Sequence, residues 1–356
     1  MPPYWTLVTP DAADLRRRAR SRLTRNVYDY YAGGSGRERT LRANEKAWRR
    51  VWLAPRVLRE VAAVSTAARL LGTEFATPLC VAPTGFHGLA HPDGELATAA
   101  GAARAGALFV LSTRSSRRIE DVGRAVADAG GTWWFQVYVM RDRALTAGLV
   151  RRAAAAGAAA LVLTADTPVV GRKRRNWDGE LVSDEDFLVN LGPLDDLEAS
   201  DQAADVTMSD IGWLSETGGG LPVVVKGVLR ADDALACQAH GAAAVIVSNH
   251  GGRQLDGALP TALALPEVAD ALPRPATGPG GEVYADGGIR TGEDALAALA
   301  LGARAVFLGR PVLWALACGG ADGVQSLLTD LTDDLAHAMA LAGARSPAET
   351  PGLARW

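Results

Sequence analysis

A closed (β/α)₈ barrel is the fold this sequence predicts, and three observations predict it. Eight short runs rich in Val, Ile and Leu recur from residue 79 onward. Alanine-rich amphipathic segments separate them, the alternation expected of parallel strands joined by crossover helices. The turn after the first run reads APTGFHG (82–88), which is no GxGxxG fingerprint, so an open dinucleotide-binding sheet is the weaker reading.

The strands are placed at LCVAPTG (79–85), LFVLST (108–113), WWFQVYV (133–139), ALVLTAD (160–166), LPVVVKG (221–227), AAVIVSNH (243–250), EVYADGG (282–288) and AVFLGRP (305–311). Helices are signalled at GELATAAGAARAG, SSRRIEDVGRAVADAG, RDRALTAGLVRRAAAAG, RADDALACQAHG and TGEDALAALALG, each ending at a glycine able to take the left-handed C′ conformation. One domain is expected over residues 1–356, with 1–60 as an N-terminal extension, helical over 11–33, and 167–217 as a long connection after the fourth strand. Loops longer than about 12–15 residues are uncommon in compact domains and usually functional or mobile. This one carries GRKRRNWDGELVSDEDF and is read as a lid.

Composition narrows the function classes. The 356 residues are 48% hydrophobic and 22% charged, enough for a large core. With 37 basic and 40 acidic side chains, a net charge of −3 gives no electrostatic reason to expect nucleic acid or an anionic membrane. Cys80, Cys237 and Cys318 are scattered and odd in number, so neither a disulfide framework nor a metal site is expected, and a reducing compartment is the default. The first twenty residues lack the apolar stretch of a signal peptide, and no window approaches a membrane span. A cytoplasmic protein acting on a small molecule is expected.

The active face of such a barrel lies at the C-terminal ends of the strands. Those ends present Thr84, Ser112, Gln136, Tyr138, Thr164, Asp166, Lys226, His250 and Arg253, then Asp286-Gly287-Gly288-Ile289-Arg290 and Gly309-Arg310. The last two groups follow strands 7 and 8, where barrels commonly bind phosphate through loop N–H groups. Glycines allow close backbone approach, and Arg290 and Arg310 can pair with phosphate oxygens by fork geometry, so a phosphorylated ligand or cofactor is implied. Of the five histidines, His91, His240 and His337 are expected to carry no chemistry, while His87 could approach the site.

SNHGGRQLDG (248–257), together with LTADTP (163–168), FQVY (135–138), VVKG (224–227), APTG (82–85), YADGGIRTG (284–292), FLGRP (307–311) and YDYYAGG (28–34), resembles the FMN-dependent 2-hydroxy acid oxidase and dehydrogenase family. The resemblance runs in order from about Asp11 to Gly343, and SNHGGRQ is its most specific motif. It implies FMN as cofactor and His250 as the base that removes a proton from the substrate; an imidazole titrating near neutrality suits that role. It further implies that Asp166 orients and stabilises His250, that Arg253 and Tyr30 grip the substrate carboxylate, and that Tyr138 bonds the hydroxyl that becomes the ketone. Lys226 then lies at the pyrimidine edge of the flavin. Pro83, Thr84, Gly85, Ser112, Gln136, Thr164 and Ser248 surround the cofactor, and an electron pair passes to flavin N5, whether as hydride or through a carbanion. A homo-oligomer, a tetramer in many relatives, and oxygen or another acceptor follow from the resemblance alone.

The sequence departs from the family pattern at the second carboxylate-binding arginine, seven residues after the aspartate, where Lys173 stands. A point donor replaces a planar fork there. Either Lys173 serves, or Arg172 or Arg174 takes its place, or the substrate is of another kind. Gly85, where several relatives have alanine, leaves room for an aromatic, mandelate-like side chain. The alternatives are FMN-dependent oxidation of a modified peptide or amino-type substrate, and a non-redox FMN barrel.

Overall fold

The computed structural model describes residues 12–175, 181, 183, 189–192, 194, 196–272 and 281–355. Eight parallel strands close a barrel in the order β7-β8-β1-β2-β3-β4-β5-β6. They are β1 (Leu79–Val81), β2 (Phe109–Ser112), β3 (Trp133–Val137), β4 (Leu161–Thr164), β5 (Val223–Val228), β6 (Ala244–Val247), β7 (Glu282–Asp286) and β8 (Ala305–Leu308). Seven lie within the runs expected to form them, and β5 extends one residue beyond its run, to Val228. The helices are α1 (Ala12–Arg22), α2 (Arg25–Ala32), α3 (Arg39–Trp48), α4 (Gly94–Arg104), α5 (Ile119–Asp128), α6 (Arg143–Ala155), α7 (Ser209–Thr217), α8 (Ala231–Ala239), α9 (Thr261–Ala271), α10 (Gly292–Ala300) and α11 (Arg310–Leu341).

Period-two alternation sorts each strand into an outer and an inner face. Outward residues such as Leu79, Val81, Phe109, Leu111, Leu161, Leu163, Val245 and Val247 join the helices in the main core. Inward residues Cys80, Val110, Trp134, Val162, Val224, Ile246, Tyr284 and Phe307 fill the barrel. Trp134, Tyr284 and Phe307 form its plug, with ring centroids 5.9, 6.2 and 5.7 Å apart. A two-stranded hairpin, Ala68–Leu70 with Thr73–Phe75, adds Leu70 and Phe75 to this inner cluster.

Continuing the inner face two residues past the plug gives Ser112, Gln136, Thr164, Lys226, Ser248 and Asp286. The same alternation that fills the barrel with apolar groups therefore ends, on every one of these strands, in a polar side chain at the mouth.

Two expectations about connections are revised. Residues 209–217, placed within the long loop, form helix α7; Ile211 and Leu214 bury its inner face, a pattern too short to stand out in so polar a stretch. Residues 176–180, 182, 184–188, 193 and 195 of the expected lid lie outside the described residues. The extension is helical over 12–22 and 25–32, within the stretch expected over 11–33, and carries α3 beyond it, which packs on the loop after β6.

Candidate active site

SNHGGRQ leaves β6 and turns at once. His250, Gly251 and Gly252 all have positive φ (58°, 61° and 77°), a backbone conformation costly for a non-glycine residue and characteristic of functional turns. The turn is over-determined by its neighbours. Ser248 Oγ accepts from the His250 N–H at 3.1 Å, and Asn249 accepts from the Gly252 N–H at 3.1 Å while exchanging amide hydrogen bonds with Asn44 of α3. A Cβ on Gly252 would stand 2.5 Å from the backbone nitrogen of Leu41, so only glycine allows α3 to lie this close. Asp256 accepts from the Arg37 and Thr40 N–H groups at the start of α3.

His250 projects from this turn between two partners. Its Nδ1 lies 2.9 Å from Asp166 Oδ1, and its Nε2 lies 3.5 Å from the Tyr138 hydroxyl. Burial alone would raise the Asp166 carboxyl, but the charges of His250 and Lys226 and hydrogen bonds from His250 and Thr167 bring it down to about 2. Burial holds the imidazole below its ordinary pKa, against the pull of Asp166 and with the help of the Lys226 charge. The ring is therefore neutral at pH 7, with Nδ1–H donated to Asp166 and Nε2 left basic towards the cavity. Burial pushes Tyr138 up to about 12, so its hydroxyl stays a donor.

Two cavities meet at His250. The inner one, with about 970 Å³ of empty space, is lined by Pro83, Thr84, Gly85, Ser112, Lys226, Asp286, Gly287, Gly288, Arg290, Gly309 and Arg310 among others. Gln136, Thr164 and Ser248 sit buried behind its wall: Ser112 Oγ donates to Gln136 Oε1 at 3.0 Å, and Gln136 Nε2 donates to Thr164 Oγ1 at 2.9 Å. Lys226 Nζ donates to Ser248 Oγ at 3.0 Å and faces Asp286 at 3.4 Å. Burial opposes its charge, but Asp286 and Asp166 hold its pKa above the ordinary lysine value. His87 is buried, with its ring nitrogens 2.6 Å from Thr84 Oγ1 and 2.8 Å from Thr98 Oγ1.

The end of the inner cavity at β7 and β8 suits an anion. Arg310 donates to the carbonyls of Tyr31, Gly251 and Gly33, and Arg290 pairs with Glu45 at 2.9 Å. Burial, then repulsion from Arg253 and Arg290, lowers the Arg310 guanidinium well below its ordinary pKa, and an arriving phosphate would relieve that repulsion. Gly287 (φ 86°) and Gly288 (φ 96°) keep the backbone bare, and a Cβ on Gly288 would meet the Asn44 backbone at 2.7 Å. Asp286 Oδ1 is buried with no hydrogen-bond partner among the described residues, an acceptor waiting for a ligand hydroxyl.

The outer cavity shares His250, Tyr138, Tyr30, Arg253 and Arg114 with the inner one and adds Lys173, Arg175, Gln202 and Gln254 among others. Arg253 stacks over Tyr30, 5.1 Å from its ring centroid, and donates to the Tyr30 and Gly33 carbonyls. In the chain after Asp166, Arg172 and Arg174 are exposed, while Lys173 and Arg175 are half-buried. Of the three candidates for the second carboxylate cation, Lys173 alone lines the cavity. Burial, then the Arg253 charge, pushes it down to about 8. Arg175 is already paired with Asp29 at 2.9 Å and Glu38 at 2.7 Å. Sequence reasoning missed Arg114, Arg175 and Gln202. Arg114 follows a strand end and could have been found there, but it opens the run RSSRR (114–118), which reads as a solvated charged turn.

The sequence profile of the FMN-dependent dehydrogenase family matches residues 19–354. The chain belongs to that family. FMN is its cofactor, in agreement with the phosphate-suited end and the polar ring of the inner cavity. The chain is 42% identical over 345 residues to the L-lactate oxidase of Nostoc sp., covering 91% of this chain and 92% of that one. It is 42% identical to the 4-hydroxymandelate oxidase of Amycolatopsis orientalis, over 94% of each chain. The crystal structure of a mandelate oxidase superposes with a TM-score of 0.87 at 42% identity, over 96% of each chain. Among the described residues no helix is long and apolar enough to cross a membrane.

Proposed function

We propose that this family member oxidises a 2-hydroxy acid to the 2-keto acid, with the base at His250 and the carboxylate held in the outer cavity. The observation that carries the reading is the line Asp166–His250–Tyr138, 2.9 and 3.5 Å long, opening between the two cavities beside Arg253. Arg253 and Lys173 anchor the C1 carboxylate, one by a guanidinium fork and the other by a point charge. Tyr30 reaches the same group from α2. Tyr138, still protonated, donates to the C2 oxygen as its bond to carbon gains double-bond character. His250 Nε2 takes a proton from the substrate, and Asp166 stabilises the imidazolium that results.

The balance is a two-electron, two-proton loss from H–C2–OH to C2=O. FMN, when bound, would accept the electron pair and the second proton, His250 having taken the first. Arg290, Arg310 and the glycines of the β7 and β8 loops would hold its phosphate, Asp286 a ribityl hydroxyl, and Lys226 with the Ser112–Gln136–Thr164 layer the ring system. Oxygen as the final acceptor is supported by the oxidases among the relatives. A cytoplasmic setting is supported by three unpaired thiols, and a homo-oligomer by resemblance alone.

The test is an anaerobic titration of the yellow holoenzyme with lactate, mandelate and 2-hydroxyglutarate, watching the flavin band. At least one should bleach it, and His250→Ala should slow that bleaching by about 10²–10⁴-fold at unchanged FMN content. Bleaching undiminished in His250→Ala would remove His250 from the chemistry.

A further inference from the structure

Arg175 lines the outer cavity, but its guanidinium is engaged by carboxylates of the N-terminal extension. Nε and Nη2 donate to the two oxygens of Glu38 at 2.7 and 3.1 Å, and Nη1 donates to Asp29 at 2.9 Å. The three side chains are only 27% (Arg175), 19% (Glu38) and 21% (Asp29) exposed, so this fork is a stronger tie than a surface pair. It joins the loop after β4 to both ends of residues 33–38. Glu38 is an unusual residue for its place. It precedes the first turn of α3, where Ser, Thr, Asp or Asn would cap the helix, and it makes no side-chain cap bond. Its φ is 59°, a left-handed conformation that is costly for a residue with a side chain. The carboxylate instead folds back to accept from the Gly34 N–H at 3.1 Å and from Arg175.

What the fork steadies is the glycine-rich strap Gly33-Gly34-Ser35-Gly36. The strap lies between the two loops that carry Lys173 and Arg253. On one side the Gly36 N–H donates to the Arg172 carbonyl at 2.9 Å, and Ser35 is bridged to Lys173. On the other, the Ser35 N–H donates to the Gly252 carbonyl at 2.9 Å and its hydroxyl donates to the Arg253 carbonyl. The Gly33 carbonyl accepts from Arg253 Nη1 at 3.2 Å. A Cβ on Gly171 would stand 2.5 Å from the Arg253 carbonyl oxygen and 2.6 Å from Ser35 Oγ, so the strap and both loops meet at one point. Glycine backbone loses more freedom on folding than any other, and a strap of this composition needs an anchor. Glu38, strained and forked to Arg175, stands at its end.

We propose that Arg175 is a positioning residue for substrate binding: clamped on Asp29 and Glu38, it holds the strap so that Lys173 keeps its place beside Arg253 in the outer cavity. The proposal rests on the hydroxy-acid reading above for the carboxylate that those two cations bind. A holder of this kind matters most for a lysine, whose flexible stem and point charge bring no fixed geometry of their own. Arg175 therefore acts through Lys173, and its loss should be felt in binding before it is felt in chemistry.

The experiment measures kcat and KM of the holoenzyme with whichever of lactate and mandelate bleaches the flavin. Arg175→Leu should raise KM about 10-fold and change kcat by less than about 3-fold, the pattern of lost ground-state binding. Arg175→Lys, charged but without the fork, should recover part of the loss. The deciding arm is a double-mutant cycle: in Lys173→Ala, the Arg175→Leu change should raise KM by less than about 2-fold, because the group it places is gone. An equal rise in both backgrounds, or none in either, overturns the proposal. Should Arg175→Leu fold poorly, Glu38→Gln, which keeps an acceptor for the Gly34 N–H and loses the charge, enters the same cycle with the same expectation. Calorimetric binding of pyruvate and phenylglyoxylate, the keto acids of the two substrates, supplies a readout independent of turnover. Affinity that falls with Arg175→Leu only when Lys173 is present, with neither hydroxy acid bleaching the flavin, would leave the clamp standing and bring down the oxidation reading. Bleaching in the wild type with additive losses of affinity would do the reverse.

Discussion

The inner and outer cavities share one barrel mouth and are built by different rules. In the inner cavity the cations are already tied: Lys226 to Ser248 and Asp286, Arg290 to Glu45, and Arg310 to three backbone carbonyls. Its walls are strand ends and loop backbone. In the outer cavity Lys173 has only the Gly171 carbonyl, at 3.2 Å, as a hydrogen-bond acceptor among the described residues. Its walls are side chains from α2 and from the loops after β2, β3, β4 and β6. The first arrangement is preorganised for a resident cofactor that need not reshape the site. The second keeps Lys173 partly desolvated beside the like charge of Arg253, so that an arriving carboxylate restores what burial took away.

The sharpest way to break this comparison is at its hinge, where Asp166 serves the outer chemistry from a strand whose Thr164 serves the inner wall. Asp166→Asn removes the charge opposite His250 but keeps the shape. We expect kcat to fall by roughly 10²–10⁴-fold, because the imidazolium loses its carboxylate and the ring can adopt the wrong tautomer. FMN retention, read from the absorbance of the purified holoenzyme, should be little changed. A loss of flavin equal to the loss of rate would show that the two cavities are one unit.

A smaller effect is expected from the backbone that couples them. Gly252→Ala places a methyl 2.5 Å from the Leu41 nitrogen at a residue with φ 77°. A cost of about 1–3 kcal/mol in thermal unfolding should follow, and the whole His250 turn should shift with α3. Both FMN affinity and kcat should then fall, since the Gly251 carbonyl of that turn accepts from Arg310 and the same turn carries His250 and Arg253. An unaltered Tm would show that α3 yields easily.

The same contrast governs what could be read from the chain. All eight strands were legible as short apolar runs separated by alanine-rich amphipathic segments, and the inner cavity was legible with them, since Ser112, Gln136, Thr164, Lys226, Ser248 and Asp286 stand at or near the ends of those runs. The outer cavity was legible in part: Tyr30, Tyr138, Lys173, His250 and Arg253 came from the family resemblance, while Arg114, Arg175 and Gln202 did not, because they meet the others only in three dimensions. Arg114 and Gln202 stand 88 residues apart and approach through the Ser200 carbonyl. Arg172, Lys173, Arg174 and Arg175 are four successive cations, and which of them are half-buried depends on the path of the chain past Ser35, to which Lys173 is bridged. Helix α7 was hidden for a related reason, its buried face amounting to few apolar residues inside a polar segment.

The smallest expected effect separates the two cavities by pH. Lys173 is charged below about 8 and neutral above it, because burial and Arg253 both disfavour the ammonium. Its attraction for the substrate carboxylate is therefore complete at neutral pH and disappears as pH rises through that value. Because kcat/KM reports groups of the free enzyme, it should decline by roughly 10-fold between pH 7 and 10, about one charge-assisted contact. His250 shapes the opposite limb: its pKa lies below the ordinary imidazole value, so the neutral base is lost, and the rate with it, only on the acid side of neutrality. Replacing Lys173 by arginine, whose guanidinium stays charged throughout, should flatten the alkaline limb and leave the acid limb where it was. FMN content across the same range should not follow the alkaline decline, since Asp286 and Asp166 hold Lys226 protonated. An alkaline limb that persists in Lys173→Arg would move the titration to another group and take Lys173 out of the carboxylate site.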